Sequence, residues 1–153
     1  MKKGDLFALN AGLAACGGLK GVKFAYAIAK NTSIVKKEVD IIQEAIKPSK
    51  EFQTYEEKRI QLAMDHAKKD PKGQPIIADN RYVIEDQAVF DEAIKNLREE
   101  NKDVIDGQKK SNEEYEEMLK EEIEIELYKI GQDLLPEDIT ASQVTGIMPI
   151  INE

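Results

Sequence analysis

The chain has 153 residues, which suits one domain, and 41% hydrophobic residues are enough for a modest core. With 34% charged residues, 6% aromatics and no Trp, a thick globular core is excluded in favour of thin helical layers. No apolar run is long enough to cross a membrane, and one cysteine, Cys16, allows no internal disulfide, which fits a reducing compartment.

The start, MKKGDLFALNAGLAAC, has the outline of a secretory signal, but Asp5 and Asn10 interrupt its apolar run. Residues 5–16 read instead as a short Ala/Leu-rich helix ended by Gly17-Gly18, because glycine supplies the left-handed conformation that closes a helix. Cys16 reads as a small buried apolar residue. From Gly21 a longer helix follows, with Ile28, Thr32, Val35, Val39, Ile42 and Ile46 at heptad-like spacing, a narrow stripe suited to packing on another helix. VKFAYAI alone also alternates at period two, so a strand over 22–28 is the alternative there. Pro48 predicts a kink or brief break at 47–49.

The stripe resumes with Phe52, Tyr55, Leu62 and Ala63 and is expected to stay helical to about residue 69. Between Asp70-Pro71 and Asp86 lies an apolar island, GQPIIADNRYVIED. Asp79-Asn80 fits a two-residue hairpin turn, because both types tolerate positive φ. That register sets Ala78 opposite Arg81, Ile77 opposite Tyr82 and Ile76 opposite Val83. One face carries Ile76 and Val83, the other Ile77, Tyr82 and Ile84. A two-stranded hairpin is marginal alone in water, so it needs a cover. IEIELYKI (123–130) as a third strand, a second copy or a protein partner could each supply it, although the helix lengths place IEIELYKI away from the hairpin within one copy.

The return helix carries Phe90, Ile94, Leu97, Asn101 and Val104, with Asn101 either in the seam or at its edge. Asp106-Gly107 reads as a stop, and Ser111 with Glu114 as a capping box for a helix over 112–121. IEIELYKI then alternates strictly, Ile123, Ile125 and Leu127 against Glu124 and Glu126, as in a half-buried strand. Thr140 or Asp138 is expected to cap a short helix ended by Pro149. The predicted fold is mainly α with a small β component. It is an antiparallel, coiled-coil-like helical hairpin with a β-hairpin over 75–84 at its turn, one further strand near 122–130 and a short C-terminal helix. The expected organisation is a single elongated domain, divided as 1–20, 21–121 and 122–153.

Charge is uneven. Residues 1–50 carry nine lysines against four acids, and residues 51–153 carry thirteen basic against twenty-six acidic side chains. The acids peak with eight glutamates from Glu113 to Glu126. Such a surface repels nucleic acid and attracts basic partners, although a solvated helix face explains most such runs. Chemistry is hard to find. His66 beside Asp65 cannot form a dyad, since helical neighbours diverge. Asp70, Asp79 and Asp86 lack the order of a calcium loop, and GGLKG lacks the spacing of a phosphate loop. The Lys-rich N-terminal third has no aromatic interleaving for nucleic acid. No enzyme activity, cofactor or metal is expected.

The succession IAKN, TYEEKRIQLAMDHAKKDPKGQPI, YVIEDQAVFDEAIKNL, IEIELYKI and LLPEDITASQVTGIMPII resembles a family of small proteins encoded by tailed phages and prophages of Gram-positive and gut bacteria. The likeness covers roughly residues 22–153, with 100–121 longer than the family pattern, and no catalytic residue comes with it. It implies a bacterial host cytoplasm or a virion as the setting. The expected function is that of a non-enzymatic accessory protein that binds a host or phage protein, acts as a homo-oligomer and inhibits a host protein. A virion or assembly component is one alternative, and an acidic mimic that blocks a host defence nuclease is another. Partner-binding candidates are Ile76, Ile77, Tyr82, Val83 and Ile84 in the hairpin, and Glu113, Glu114, Glu116, Glu117 and Glu121 in the acidic run. Neither membrane nor direct nucleic-acid binding is expected.

Overall fold

The structure, a computed structural model, describes residues 1–152. It is mainly helical with one small antiparallel sheet, as the periodicities predict. In chain order the elements are α1 (Asp5–Ala15), α2 (Val22–Ala45), α3 (Lys50–Asp65), β1 (Ile77–Ala78), β2 (Arg81–Tyr82), α4 (Gln87–Glu100), α5 (Lys102–Lys120) and α6 (Ala141–Ile147). The chain divides into two compact units, one built from residues 1–47 with 114–153 and the other from residues 48–113.

The first unit holds the larger core. Leu6, Leu9 and Leu13 on α1 and Cys16 at its C-cap repeat at spacings of three and four, which places them on one helix face. They are buried with Phe24, Ala27, Ile28, Val35, Val39 and Ile42 of α2 and with Ile130, Ile147 and Ile150. Each such side chain contributes roughly 1.5–3 kcal/mol of transfer free energy when fully buried. VKFAYAI is helical, because Phe24, Ala27 and Ile28 extend the apolar face of α2 back to its first turn. The α1 and α6 helices cross at a glycine pair, where a Cβ on Gly12 would lie on the Gly146 backbone. Thr140 caps α6 in a reciprocal box with Gln143, and a 3₁₀ turn containing Pro149 follows.

IEIELYKI alternates in burial as expected, with Ile123, Ile125 and Leu127 packed against the core and Glu124 and Glu126 exposed. It is nevertheless no strand of a sheet. Isolated bridges hold only its ends, Lys2 to Glu122 antiparallel and Ile130 to Ile151 parallel. Alternation fixes which side chains turn inward, but a ladder also needs a neighbouring backbone, and here none runs alongside the middle.

In the second unit α3 packs on α4. The break at Pro48 is complete: α2 ends at Ala45, and Ser49 caps α3 by accepting the Phe52 N–H at 3.1 Å. The α3 helix stops at Asp65, several residues before the expected end, because His66–Asp70 gains partners in the hairpin. On the return, the interruption falls at Asn101 and not at Asp106-Gly107. There Asn101 leaves helical geometry, and its side-chain amide donates to the Leu97 carbonyl at 2.8 Å. Gly107 is helical, so the expected stop and the Ser111–Glu114 capping box are not formed. A single glycine costs a helix only about 1 kcal/mol relative to alanine, which the rest of α5 outweighs.

Candidate functional site

The hairpin has the expected register, Ile77 opposite Tyr82 and Ala78 opposite Arg81. Asp79 (φ 49°) and Asn80 (φ 59°) form its turn with both residues at positive φ. This is the primed turn whose twist matches that of paired strands. Beyond the formal strands the pairing continues, with the Val83 N–H donating to the Ile76 carbonyl at 3.0 Å.

One flank is covered by the chain itself, from a direction the sequence reading did not consider. Residues 66–70 run along both arms of the hairpin. Lys68 donates its N–H to the Val83 carbonyl at 2.7 Å and accepts from the Ile76 N–H at 2.8 Å. Isolated antiparallel bridges join Ala67 to Ile84 and Lys69 to Pro75. The Glu85 N–H reaches the His66 carbonyl at 2.9 Å. Asp70 sets the return, its Oδ1 accepting from the N–H groups of Lys72 (2.8 Å) and Gln74 (2.9 Å), with Gly73 at φ 80° between them. His66 is thus a helix cap whose ring lies 5.8 Å from that of Phe90. HAKKD has the composition of a helix end and no strand signal, so nothing in its side chains marks this backbone pairing.

Two apolar side chains of the hairpin stay uncovered. Tyr82, Val83 and Ile84 are half-buried, whereas Ile76 and Ile77 remain 38% and 61% exposed. Within residues 48–113 only Tyr55, Ala67 and Ile94 are buried hydrophobics, while Ile60 and Val89 lie exposed on α3 and α4. Between these helices and α5 an open groove of about 470 Å³ is lined by Phe52, Tyr55 and Ile105 with Arg59, Arg98 and Lys102. Arg59 forks onto the Glu56 carboxylate at 2.8 and 3.1 Å, and this hydrogen bonding raises the pKa of its guanidinium.

The acidic candidates lie elsewhere. Glu113 ends the second unit, and Glu114, Glu116, Glu117 and Glu121 belong to the first. All five are exposed. Glu117 pairs with Lys120 at 2.7 Å and raises its pKa through that hydrogen bond, and Glu121 pairs with Lys3 at 2.6 Å. Among the described residues, no group of three or more His, Cys, Asp or Glu is placed to hold a metal ion, and no helix is long and apolar enough to cross a membrane.

Sequence reasoning missed one polar residue of consequence. Asn31, on α2, is fully buried, and its carboxamide closes two hydrogen bonds of 2.8 Å with the backbone of Tyr128, one accepted and one donated. Its place at the apolar edge of α2, four residues before Val35, was the available signal. Comparison with known proteins adds no relative: no family model matches, and neither a curated protein nor a solved structure matches significantly.

Proposed function

We propose that this chain is a non-enzymatic protein-binding accessory factor, and that its hairpin-bearing unit assembles with a second copy. The observation that carries this reading is the exposure of two apolar side chains of the hairpin, Ile76 and Ile77, on a unit with only three buried hydrophobic residues. Units of this size rarely reach useful stability on so little burial, and covering apolar strands between copies is one way they gain it. The likeness to phage-encoded proteins supports a bacterial cytoplasm or virion as the setting, with inhibition of a host protein as the outcome of binding. An acidic decoy is less well supported, because Glu117 and Glu121 already hold Lys120 and Lys3.

The test is the solution mass by light scattering across a concentration series, for the native chain and for Ile77→Asp. The expected result is a native oligomer and a variant that dissociates with unchanged helical circular dichroism. A native chain that stays monomeric at high micromolar concentration rejects the reading.

A further inference from the structure

A second surface, in the first unit, has features suited to a different partner. Residues 123–129 run without helix, turn or bend, and their side chains alternate between half-buried and exposed up to Tyr128. The chain here is extended and anchored. The Ile123 N–H donates to the Met1 carbonyl at 2.9 Å, Asn31 holds both backbone groups of Tyr128, and Ile130 pairs with Ile150 and Asn152. Between these anchors, the N–H and C=O groups of Glu124, Ile125, Glu126 and Leu127 have no hydrogen-bond partner among the described residues. Native proteins cover or blunt such an edge, because it is a template for another strand.

Parity identifies which groups face which way. In an extended chain both polar groups of one residue point to the same edge, and successive residues alternate. Ile123 bonds towards Met1, so Ile125 and Leu127 direct their backbone groups to that same edge. An open groove of about 720 Å³ is lined by Ile123–Leu127 together with Met1, Lys129 and Pro149. Met1–Lys3 already occupies the start of this edge, pairing across Lys2 and Glu122.

The side chains select the occupant. A strand added here sets its outward residues beside Glu124 and Glu126, which are exposed and make no ion pair among the described residues. A second copy pairing antiparallel through this segment would place glutamate beside glutamate, which is repulsive. A strand with Lys or Arg at alternate positions gains an attraction at each. From this geometry we infer that the Ile123–Leu127 edge is a strand-addition site for an extended basic segment of another protein, with cationic and apolar residues in alternation.

The test uses the full chain and a capped heptapeptide, Lys-Val-Lys-Val-Lys-Val-Lys, followed by fluorescence anisotropy and residue-resolved amide exchange. Binding is expected to slow exchange at Ile125 and Leu127 and leave Glu124 and Glu126 little changed. N-methylating one alternate set of peptide amides should weaken binding by roughly tenfold or more, and the other set should have little effect. The double variant Glu124→Lys with Glu126→Lys should transfer preference to the Glu-Val peptide of the same length. Absence of peptide binding overturns the inference. So does binding that is indifferent to both methylation sets, because that is charge attraction alone. Concentration-dependent protection of Ile125 and Leu127 in the free chain overturns it in favour of a second copy. None of these outcomes depends on whether the hairpin unit oligomerises.

Discussion

Replacing Asn31 should detach the extended segment from α2, and the structure gives the size of the effect. Asn31 is fully buried, and its side chain is the partner of both Tyr128 backbone groups at 2.8 Å. A hydrogen bond of this kind contributes about 1 kcal/mol net, and a backbone group left unpaired costs about 1–3 kcal/mol when water cannot reach it. Tyr128 is itself 39% exposed, so water can partly replace the lost contacts and the lower end applies. Asn31→Ala is therefore expected to destabilise the first unit by about 2–3 kcal/mol. Asn31→Asp separates the two bonds. The introduced carboxylate still accepts from the Tyr128 N–H but faces the Tyr128 carbonyl, and only its protonated form donates there. Burial and that carbonyl raise its folded-state pKa above the ordinary value of about 3.9. The folded state then binds more protons than the unfolded one, so the variant loses stability as pH rises from about 4 through the raised value. Urea unfolding followed by circular dichroism, with amide exchange at Tyr128, measures both effects. An Asn31→Ala variant within about 0.5 kcal/mol of the native chain, with unchanged exchange at Tyr128, would refute the assignment of the clip.

Gly12→Ala places a methyl group on the Gly146 backbone, which cannot yield as a flexible side chain would. The loss from overpacking, about 1–3 kcal/mol or more, should exceed the roughly 1 kcal/mol gained in helix propensity, so a lower urea midpoint is expected and an unchanged one contradicts the close crossing. Asn80→Val forces a β-branched residue to φ 59° and should cost the hairpin about 1–2 kcal/mol, read as faster exchange at Val83, whereas Asn80→Gly should be neutral or slightly stabilising. Burial raises the pKa of the Cys16 thiol and leaves it 1% exposed, so its reaction with a disulfide reagent at neutral pH should be roughly a hundredfold slower than in urea. Stoichiometric modification of the native chain within seconds would contradict that burial.

How legible the fold was depended on whether side chains or backbone decided each feature. The stripe Ile28, Val35, Val39 and Ile42 is buried as its spacing predicts. The Asp79-Asn80 turn was readable because few residues accept positive φ. The interruption between α4 and α5 was misplaced because Gly107 is a local signal, and a continuous helix with a half-buried Tyr115, Met118 and Leu119 overrides it. The strand-like run 66–70 was invisible, since its pairing uses N–H and C=O groups that Lys68 and Lys69 share with every other residue. The Gly12–Gly146 crossing joins positions far apart in sequence, and neither glycine announces a contact by itself.

The same division separates the two surfaces chemically. At the hairpin, side chains remain uncovered while Lys68 satisfies the Ile76 N–H and the Val83 carbonyl. Along Ile123–Leu127 the apolar side chains are packed while the backbone from Glu124 to Leu127 is open. The first surface gains by covering methyl groups, which is non-directional and compatible with a self-complementary contact between copies. The second gains by completing hydrogen bonds in one register, with Glu124 and Glu126 deciding the sign of the incoming charge. Loss of Ile77 should therefore alter mass and leave basic-peptide binding intact, whereas charge reversal at Glu124 and Glu126 should do the opposite. A variant at either place that abolished both would show that one surface serves both purposes.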